Sequence, residues 1–211
     1  MDLKIPGESG NISFSDLQEQ TRLLTLSCYN DNVEVVKLIL KQCDVNCIDK
    51  YFENSSTPLA TACFNGNTPV VEFLIKGGAD CNQSNKWRET PLCVASEAGH
   101  ADVVDLLNKS GAGCNLSNKW RETPLYIASE TGHADVVDLL IKNSADCNQS
   151  NTLGYTPLYI ASKAGYADVV DLLNENSADC NQSNRLGETP LYIASEAGHA
   201  DVVDLLLSLI H

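Results

Sequence analysis

TPLYIASETGHADVVDLL, residues 123–140, carries the pattern from which the fold of this chain follows. Nearly the same phrase returns along the chain, and its opening Thr-Pro-Leu occurs five times at a spacing of 33 residues. The five copies begin at Thr57, Thr90, Thr123, Thr156 and Thr189. A fixed period of this length indicates stacked supersecondary units rather than one globule built around a single centre.

The residues of one unit predict two helices joined by a turn, followed by a loop. Pro suits the first turn of a helix, so Thr123 is expected to be the N-cap and Pro124 the first helical residue. Gly132 should end this helix, because Gly adopts a left-handed backbone at little cost. Asp135 favours the start of a second helix, whose Val and Leu pairs supply an apolar face. The polar run 148–155 must then turn back as a hairpin-like finger.

This unit resembles the ankyrin repeat, which opens on Thr-Pro-Leu-His-x-Ala at a period of ~33 residues. The resemblance covers nearly the whole chain from about Arg22 onward. It implies an all-α repeat solenoid of helix-turn-helix units with hairpin-like finger loops, and partner binding in a concave groove lined by the fingers and first helices. The His of the family motif is replaced by Ala60, Cys93, Tyr126, Tyr159 and Tyr192. Since that His supports the turn, its loss leaves the predicted fold intact.

We expect a polar N-terminal tail, residues 1–14, followed by an ankyrin-repeat array over residues 15–211. The first repeat is degenerate, and the last lacks its closing finger and ends on the apolar Leu209 and Ile210. This end predicts a short cap over the last core layer or, alternatively, self-association end to end or truncation from a longer array. A monomer is the expected state. The six repeats are expected at about 15–53, 54–86, 87–119, 120–152, 153–185 and 186–211.

The composition excludes several classes of partner. A formal net charge of -14 argues against binding to nucleic-acid phosphates and to anionic membranes. No apolar run could span a bilayer, and the N-terminus lacks the regions of a secretory signal, so we expect a cytoplasmic or nuclear acidic protein. Rows of Asp on the second helices, such as Asp102 and Asp105, indicate a solvated outer face or, alternatively, a docking ridge for a basic partner.

The residue pattern predicts neither an enzyme nor a cofactor or metal site. There is no glycine-rich phosphate loop, and the phrase from Glu97 to His100 recurs, whereas an active site seldom repeats along a rod. Cys43 and Cys47 have no second pair to complete a zinc site. Repeats stack about 10 Å apart, which is too far for a disulfide between adjacent members of the Cys column. That column consists of Cys81, Cys114, Cys147 and Cys180.

An Asn-x-Ser phrase also occurs once per repeat, at Asn82, Asn115, Asn148 and Asn181. Glycosylation needs a secretory route, so we expect these side chains to hold the fingers through hydrogen bonds instead. In the ankyrin family this Asn position is a substrate for asparaginyl hydroxylation. The resemblance therefore implies a hydroxylation site at Asn148 and Asn181, which keep Ala-Asp before Cys-Asn.

Differences between near-identical copies indicate the binding surface. Two fingers have Lys-Trp-Arg-Glu tips and two have Leu-Gly tips. Trp and Arg are enriched at binding hot spots, so we expect Trp87 and Trp120, one repeat apart, to contact a partner together. Alternatively, each ring lies flat on its neighbour finger with Arg stacked on it. The Tyr that replaces the family His either lines the groove or packs beneath it. The predicted partner-binding residues are Lys86, Trp87, Arg88, Glu89, Glu97, Lys119, Trp120, Arg121, Glu122, Glu130, Leu153, Tyr155, Lys163, Arg185, Leu186 and Glu188.

These observations predict a non-catalytic protein-interaction module or adaptor, whose cationic and aromatic finger tips anchor an acidic or apolar segment of another protein. An alternative is an inhibitory regulatory subunit that masks a basic segment of a kinase or transcription factor. A third is a structural element that assembles end to end through Leu209 and Ile210. Ankyrin folds serve many unrelated functions, so the sequence does not name the partner.

Overall fold

A computed structural model describes residues 14–49 and 56–208. These residues form α-helices and connecting loops, with no strand among them. The helices come in six pairs, one pair per repeat. They are α1 Phe14–Tyr29, α2 Val33–Ile39, α3 Pro58–Phe64, α4 Thr68–Lys76, α5 Pro91–Ala98, α6 Ala101–Lys109, α7 Pro124–Thr131, α8 Ala134–Lys142, α9 Pro157–Ala164, α10 Ala167–Glu175, α11 Pro190–Ala197 and α12 Ala200–Ser208.

The helices stack in two layers that enclose one continuous apolar core. The first helix of each repeat contacts its own second helix and the first helix of the next repeat, and the second helices contact one another in the same order. The third repeat contributes Leu92, Val103, Val104 and Leu107 to the core, all fully buried. The other repeats contribute the equivalent positions. The predicted all-α repeat solenoid is confirmed.

The helix boundaries follow from the repeated phrase. The Thr123 hydroxyl accepts a hydrogen bond from the Tyr126 N–H at 3.1 Å, and Pro124 is the first helical residue. Gly132 ends α7 with a φ of 79°, in the left-handed region. The first repeat lacks Thr-Pro, and its first helix α1 starts at Phe14, well before Arg22, where the resemblance to the repeat begins. The rest of the predicted tail, residues 1–13, lies outside the described residues.

Neighbouring repeats are also joined at the turn Gly. The His133 ring lies against Gly99, where an added Cβ would come within 2.6 Å of the ring. His133 Nε2 is 3.1 Å from the carbonyl oxygen of Glu97, so the ring contacts the turn of the preceding repeat. The same arrangement pairs Gly66 with His100, Gly132 with Tyr166 and Gly165 with His199. These rings therefore have a structural role at the boundary between repeats.

Candidate functional site

Each finger is built around one Asn side chain. In the finger formed by residues 118–122, Asn118 Oδ1 accepts hydrogen bonds from the Trp120 N–H at 2.9 Å and the Glu122 N–H at 3.0 Å. The backbone N–H of Asn118 donates to the Glu122 carbonyl at 3.0 Å and closes the hairpin. Asn118 is buried, so this arrangement replaces hydration of the finger backbone. Asn85, Asn151 and Asn184 do the same in the other three fingers.

Sequence reasoning missed these four Asn residues. It singled out the Asn of Asn-x-Ser, which lies three residues earlier in each repeat. The signal was present, because an Asn recurs four residues before the last residue of every finger. A polar residue at a fixed distance before a tight turn is a recognised sign of a side chain that bonds to its own backbone.

The same Asn orients the acidic residue that ends the finger. Asn118 Nδ2 donates to Glu122 Oε2 at 2.8 Å. Equivalent bonds hold Glu89 through Asn85 at 2.7 Å and Glu188 through Asn184 at 2.6 Å. These carboxylates are therefore fixed at the base of the fingers, beside the first helices.

The Trp fingers, residues 85–89 and 118–122, carry stacked rings. The Trp87 and Trp120 ring centroids lie 5.9 Å apart with 22° between their planes. Lys119 Nζ is 3.1 Å from the Trp87 centroid and 4.3 Å from the Trp120 centroid. Lys119, rather than the Arg suggested by the sequence, thus lies against both rings, while Trp120 stays 42% exposed. A cation on an aromatic face is a favourable contact of about 0.5–1 kcal/mol at exposed sites.

Adjacent fingers are also joined through the backbone. The Lys119 N–H donates to the Trp87 carbonyl at 2.9 Å, and the Thr152 N–H donates to the Trp120 carbonyl at 2.8 Å. The Arg185 N–H donates to the Leu153 carbonyl at 3.2 Å. The finger tips therefore form one continuous row rather than four independent loops.

The two kinds of finger differ at their fourth residue. Arg88 and Arg121 have φ values of 64° and 66°, in the left-handed region that L side chains adopt only with strain. In the Leu-Gly fingers, residues 151–155 and 184–188, Gly154 and Gly187 occupy this position with φ values of 85° and 82°. The Trp fingers thus accept backbone strain in order to carry an exposed Arg.

Residues in the last turn of the first helices form a second row, which we call the groove floor. Relative to the Thr of each repeat, Phe64 and Glu97 occupy the same position, and Tyr29 is their equivalent in the degenerate first repeat. The row changes from aromatic residues in the first two repeats to charged residues in the remaining four. In order it reads Tyr29, Phe64, Glu97, Glu130, Lys163 and Glu196.

The middle of the groove floor is strongly acidic. Partial burial of its carboxyl raises the pKa of Glu97, and the charges of Glu89 and Glu122 raise it further. Burial also raises the pKa of Glu130, with additional contributions from Glu122 and Glu97 and an opposing one from Lys163. Ion pairs among the described residues lie on the second helices, as between Asp138 and Lys142, and leave these four carboxylates unpaired.

The Tyr that replaces the family His has two fates. Tyr126 and Tyr159 are 2% exposed and pack beneath the fingers, so here the Tyr does not line the groove. The Tyr159 hydroxyl donates to Glu188 Oε2 at 2.9 Å and supports the finger above it. Tyr192, in the last repeat, is 51% exposed. Tyr155 stacks on Tyr159 with ring centroids 4.5 Å apart.

All of the predicted partner-binding residues reach solvent. Five are half-buried, because they lie at the finger base or in the ring stacks: Trp87, Glu89, Glu122, Tyr155 and Glu188. The others are exposed: Lys86, Arg88, Glu97, Lys119, Trp120, Arg121, Glu130, Leu153, Lys163, Arg185 and Leu186.

The Asn of Asn-x-Ser joins successive repeats. Asn148 Oδ1 accepts from the Asp179 N–H at 2.8 Å, and its Nδ2 donates to the Ser177 carbonyl at 3.2 Å. Asn46, Asn82 and Asn115 make the same pair of contacts to the repeat that follows them. These side chains therefore do form hydrogen bonds, but the bonds join the loops that follow the second helices of successive repeats and do not contact the fingers themselves.

The cysteines are free thiols. Cys81 and Cys147 of the column are buried, whereas Cys114 and Cys180 are half-buried. Cys43 and Cys47 lie close together, with their Sγ atoms 3.7 Å apart, and the hydrogen bond between the two side chains lowers the pKa of the Cys43 thiol. In the part of the chain that the structure describes, no group of three or more His, Cys, Asp or Glu residues could hold a metal ion.

One predicted feature cannot be placed. Leu209 and Ile210, the residues of the proposed end-to-end contact, lie outside the described residues. The helices that are described include none long and apolar enough to cross a membrane.

Comparison with known proteins agrees with this architecture. A family model described as ankyrin repeats matches in three copies, over residues 23–118, 106–184 and 146–211. The chain is also similar to the "Ankyrin repeat and KH domain-containing protein mask-1" of Caenorhabditis elegans, with 41% identity over 64 residues. This match covers 30% of the chain and 2% of that protein, so the likeness concerns a small part of the relative.

Proposed function

Because the chain belongs to the ankyrin-repeat family, whose repeats are protein-interaction modules, we propose that it binds a partner protein along the groove between its fingers and its first helices. The proposed binding residues are those of the finger tips and, on the groove floor, Glu97, Glu130 and Lys163. The module acts as an adaptor or scaffold without catalysis, in the cytoplasm or nucleus.

The ring stack of the Trp fingers is the observation that carries this proposal. Trp87 and Trp120 are held in a fixed arrangement by Lys119, yet Trp120 remains 42% exposed. A prearranged aromatic surface loses little conformational entropy on binding, and Trp is the residue most typical of binding hot spots. The strained backbone of Arg88 and Arg121 supports the same view, since strain of this kind is found at functional positions.

The test starts with an affinity capture by the intact array, followed by titration of the partner so identified. Trp87→Ala with Trp120→Ala should weaken its affinity by at least about tenfold, the scale of hot-spot loss. Leu153→Ala with Leu186→Ala is the matched control, since it truncates the tips of the Leu-Gly fingers, and it should have a smaller effect. An unchanged affinity of the Trp double variant for the partner would refute the anchor role of the Trp fingers.

A second candidate function is inhibition by masking a basic segment of a kinase or transcription factor. It is favoured by the groove-floor carboxylates, which have no ion pair within the described residues. Binding of this kind should weaken strongly as ionic strength rises, because salt screens exposed charges. Affinity for the captured partner that does not respond to salt would rule this function out.

We also propose a modification site and an oligomeric state. Hydroxylation is proposed at Asn148 and Asn181, and intact-mass analysis after treatment with an asparaginyl hydroxylase tests it, with Asn181→Gln as control. Asn148 bonds to the next repeat through both side-chain atoms, so Asn181 should react first. The chain should be monomeric; a dimer that Leu209→Ser with Ile210→Ser dissolves would instead establish the end-to-end contact.

A further inference from the structure

Between the first three repeats lies a cavity to which the function proposed above assigns no particular ligand. It has a volume of about 480 Å³ and opens on the groove between α1, α3, α5 and the finger formed by residues 85–89. This volume lies within the range of about 300–1,000 Å³ that is usual for ligand pockets. Its lining includes Leu26, Tyr29, Phe64, Val94, Glu89 and Glu97.

One side of this cavity is apolar and open to solvent. Leu26, Tyr29 and Phe64 are 38%, 47% and 54% exposed, although each is a large hydrophobic side chain. Tyr29 and Phe64 stand where the later repeats have charged residues on the groove floor. Exposed apolar residues that cluster around a cavity are a common mark of a binding site.

The opposite side of the cavity is acidic. Glu89 is held in place by Asn85 Nδ2 at 2.7 Å, and Glu97 lies across from it on α5. Glu122 and Glu130 continue the negative charge into the next repeat. Like charges this close repel one another in the unbound protein, and a cation placed among them would relieve that repulsion.

We propose that this cavity recognises a peptide segment of the partner that carries a large apolar side chain followed by Lys or Arg. The apolar side chain fills the space between Tyr29 and Phe64, and the basic residue contacts Glu89 and Glu97. Residues further along the segment run toward Glu122 and Glu130. This inference rests on the proposed binding function and adds to it the chemistry of the partner and the direction in which its segment lies.

Charge complementarity decides between this occupant and an acidic segment. An acidic segment would bring further negative charge to four carboxylates that have no ion pair among the described residues. The cations Lys86 and Arg88 of the same finger lie at its exposed tip and are not part of the cavity lining. Like charges brought together at an interface cost affinity and exclude wrong partners. The cavity thus selects by sign of charge as well as by shape.

The experiment uses the full chain and three fluorescent synthetic peptides in fluorescence-anisotropy titrations. The first contains Leu followed by two Arg residues, the second has Glu in place of both Arg residues, and the third has Ser in place of Leu. The Leu/Arg peptide should bind at least about tenfold more tightly than either of the others. Equal binding of the Leu/Arg and Leu/Glu peptides would overturn the proposal.

Three variants locate the binding. Phe64→Ser, at a half-exposed position, should weaken the Leu/Arg peptide about tenfold, and Glu97→Lys should shift the preference toward the Leu/Glu peptide. Glu196→Lys makes the same charge change at the same position of the last repeat and should alter neither. Unchanged peptide affinity in folded Phe64→Ser, with folding checked by circular dichroism, would place the peptide elsewhere and refute the inference.

The same measurements separate this inference from the proposed function. If the captured partner needs Trp87 and Trp120 but the peptides show no preference, only the cavity inference falls. If the peptides bind as expected but the array captures no partner along its groove, the proposed function fails while the chemistry of the cavity stands.

Discussion

The Trp fingers and the Leu-Gly fingers share one backbone and carry different chemistry. All four have an Asn that accepts two backbone N–H groups, and all four have a left-handed fourth residue. The Leu-Gly fingers place Gly there, where it costs little, whereas the Trp fingers place Arg88 and Arg121. The comparison teaches that the hairpin itself is a generic support, and that the tip residues are chosen for something other than stability.

Loss of the finger Asn should have the largest effect, and it should be the same in both kinds of finger. Asn118→Ala removes the acceptor of two backbone N–H groups and should lower the free energy of unfolding by about 2–3 kcal/mol. Asn151→Ala should cost a similar amount, since it removes the equivalent bonds. Urea denaturation measures both, and a marked difference between them would show that the two finger types do not share one support.

The next effect distinguishes the two Leu-Gly fingers from each other. An added Cβ at Gly154 would come within 3.0 Å of the backbone nitrogen of Arg185, whereas nothing lies within 4 Å at Gly187. Gly154→Ala should therefore cost about 2 kcal/mol, through strain and close contact, and Gly187→Ala about 1 kcal/mol, through strain alone. Equal losses of stability in thermal unfolding would mean that the backbone of the next finger moves away from the added Cβ at no cost in free energy.

Relief of strain in a Trp finger should raise stability slightly. Arg121 has a φ of 66°, so Arg121→Gly should add about 0.5–1 kcal/mol to the free energy of unfolding while it weakens partner binding. Arg185→Gly is the control, because Arg185 is not among the residues with positive φ and gains nothing from Gly. A destabilised Arg121→Gly variant would indicate that Arg121 makes a stabilising contact at the tip.

The smallest effect concerns the acidic floor beside the Trp fingers. The folded-state pKa of Glu97 is raised, so the ionised carboxylate destabilises the folded protein at neutral pH, and this cost disappears as pH falls below the carboxyl's unfolded value. Glu97→Gln should raise the melting temperature by about 1–2 °C at pH 7 and by nothing at pH 4. Glu196→Gln, at the same helix position in the last repeat, should not change it at either pH. A gain that persists at pH 4 would assign the effect to packing rather than charge.

The repeat register, the helix starts and the turn glycines could be predicted because each depends on residues close together in sequence. Thr123, Pro124 and Gly132 act through local backbone chemistry, so a single repeat contains all the information. The position of the proposed binding residues on the fingers and first-helix ends could also be inferred from the sequence, since near-identical copies reveal which positions vary.

The chemistry of the site was harder to predict because it depends on contacts between repeats. Lys119 contacts Trp87 in the preceding finger. Tyr126 and Tyr159 are buried beneath a finger, whereas Tyr192 in the last repeat is exposed. The aromatic pair Tyr29 and Phe64 could have been found by aligning the degenerate first repeat with the regular ones. The cavity beside that pair could not, because its shape follows from the packing of three helices.

The contact between a turn Gly and the ring of the next repeat has a consequence for how such a gene can grow. Gly99 belongs to one repeat and His133 to the next, and one period later Gly132 meets the ring of Tyr166 in the same way. A DNA segment of one period can therefore be duplicated or deleted from any starting point, and every Gly in the interior still meets a ring. Length changes of this kind preserve the joints between units, so recombination can add or remove binding surface without first solving a folding problem.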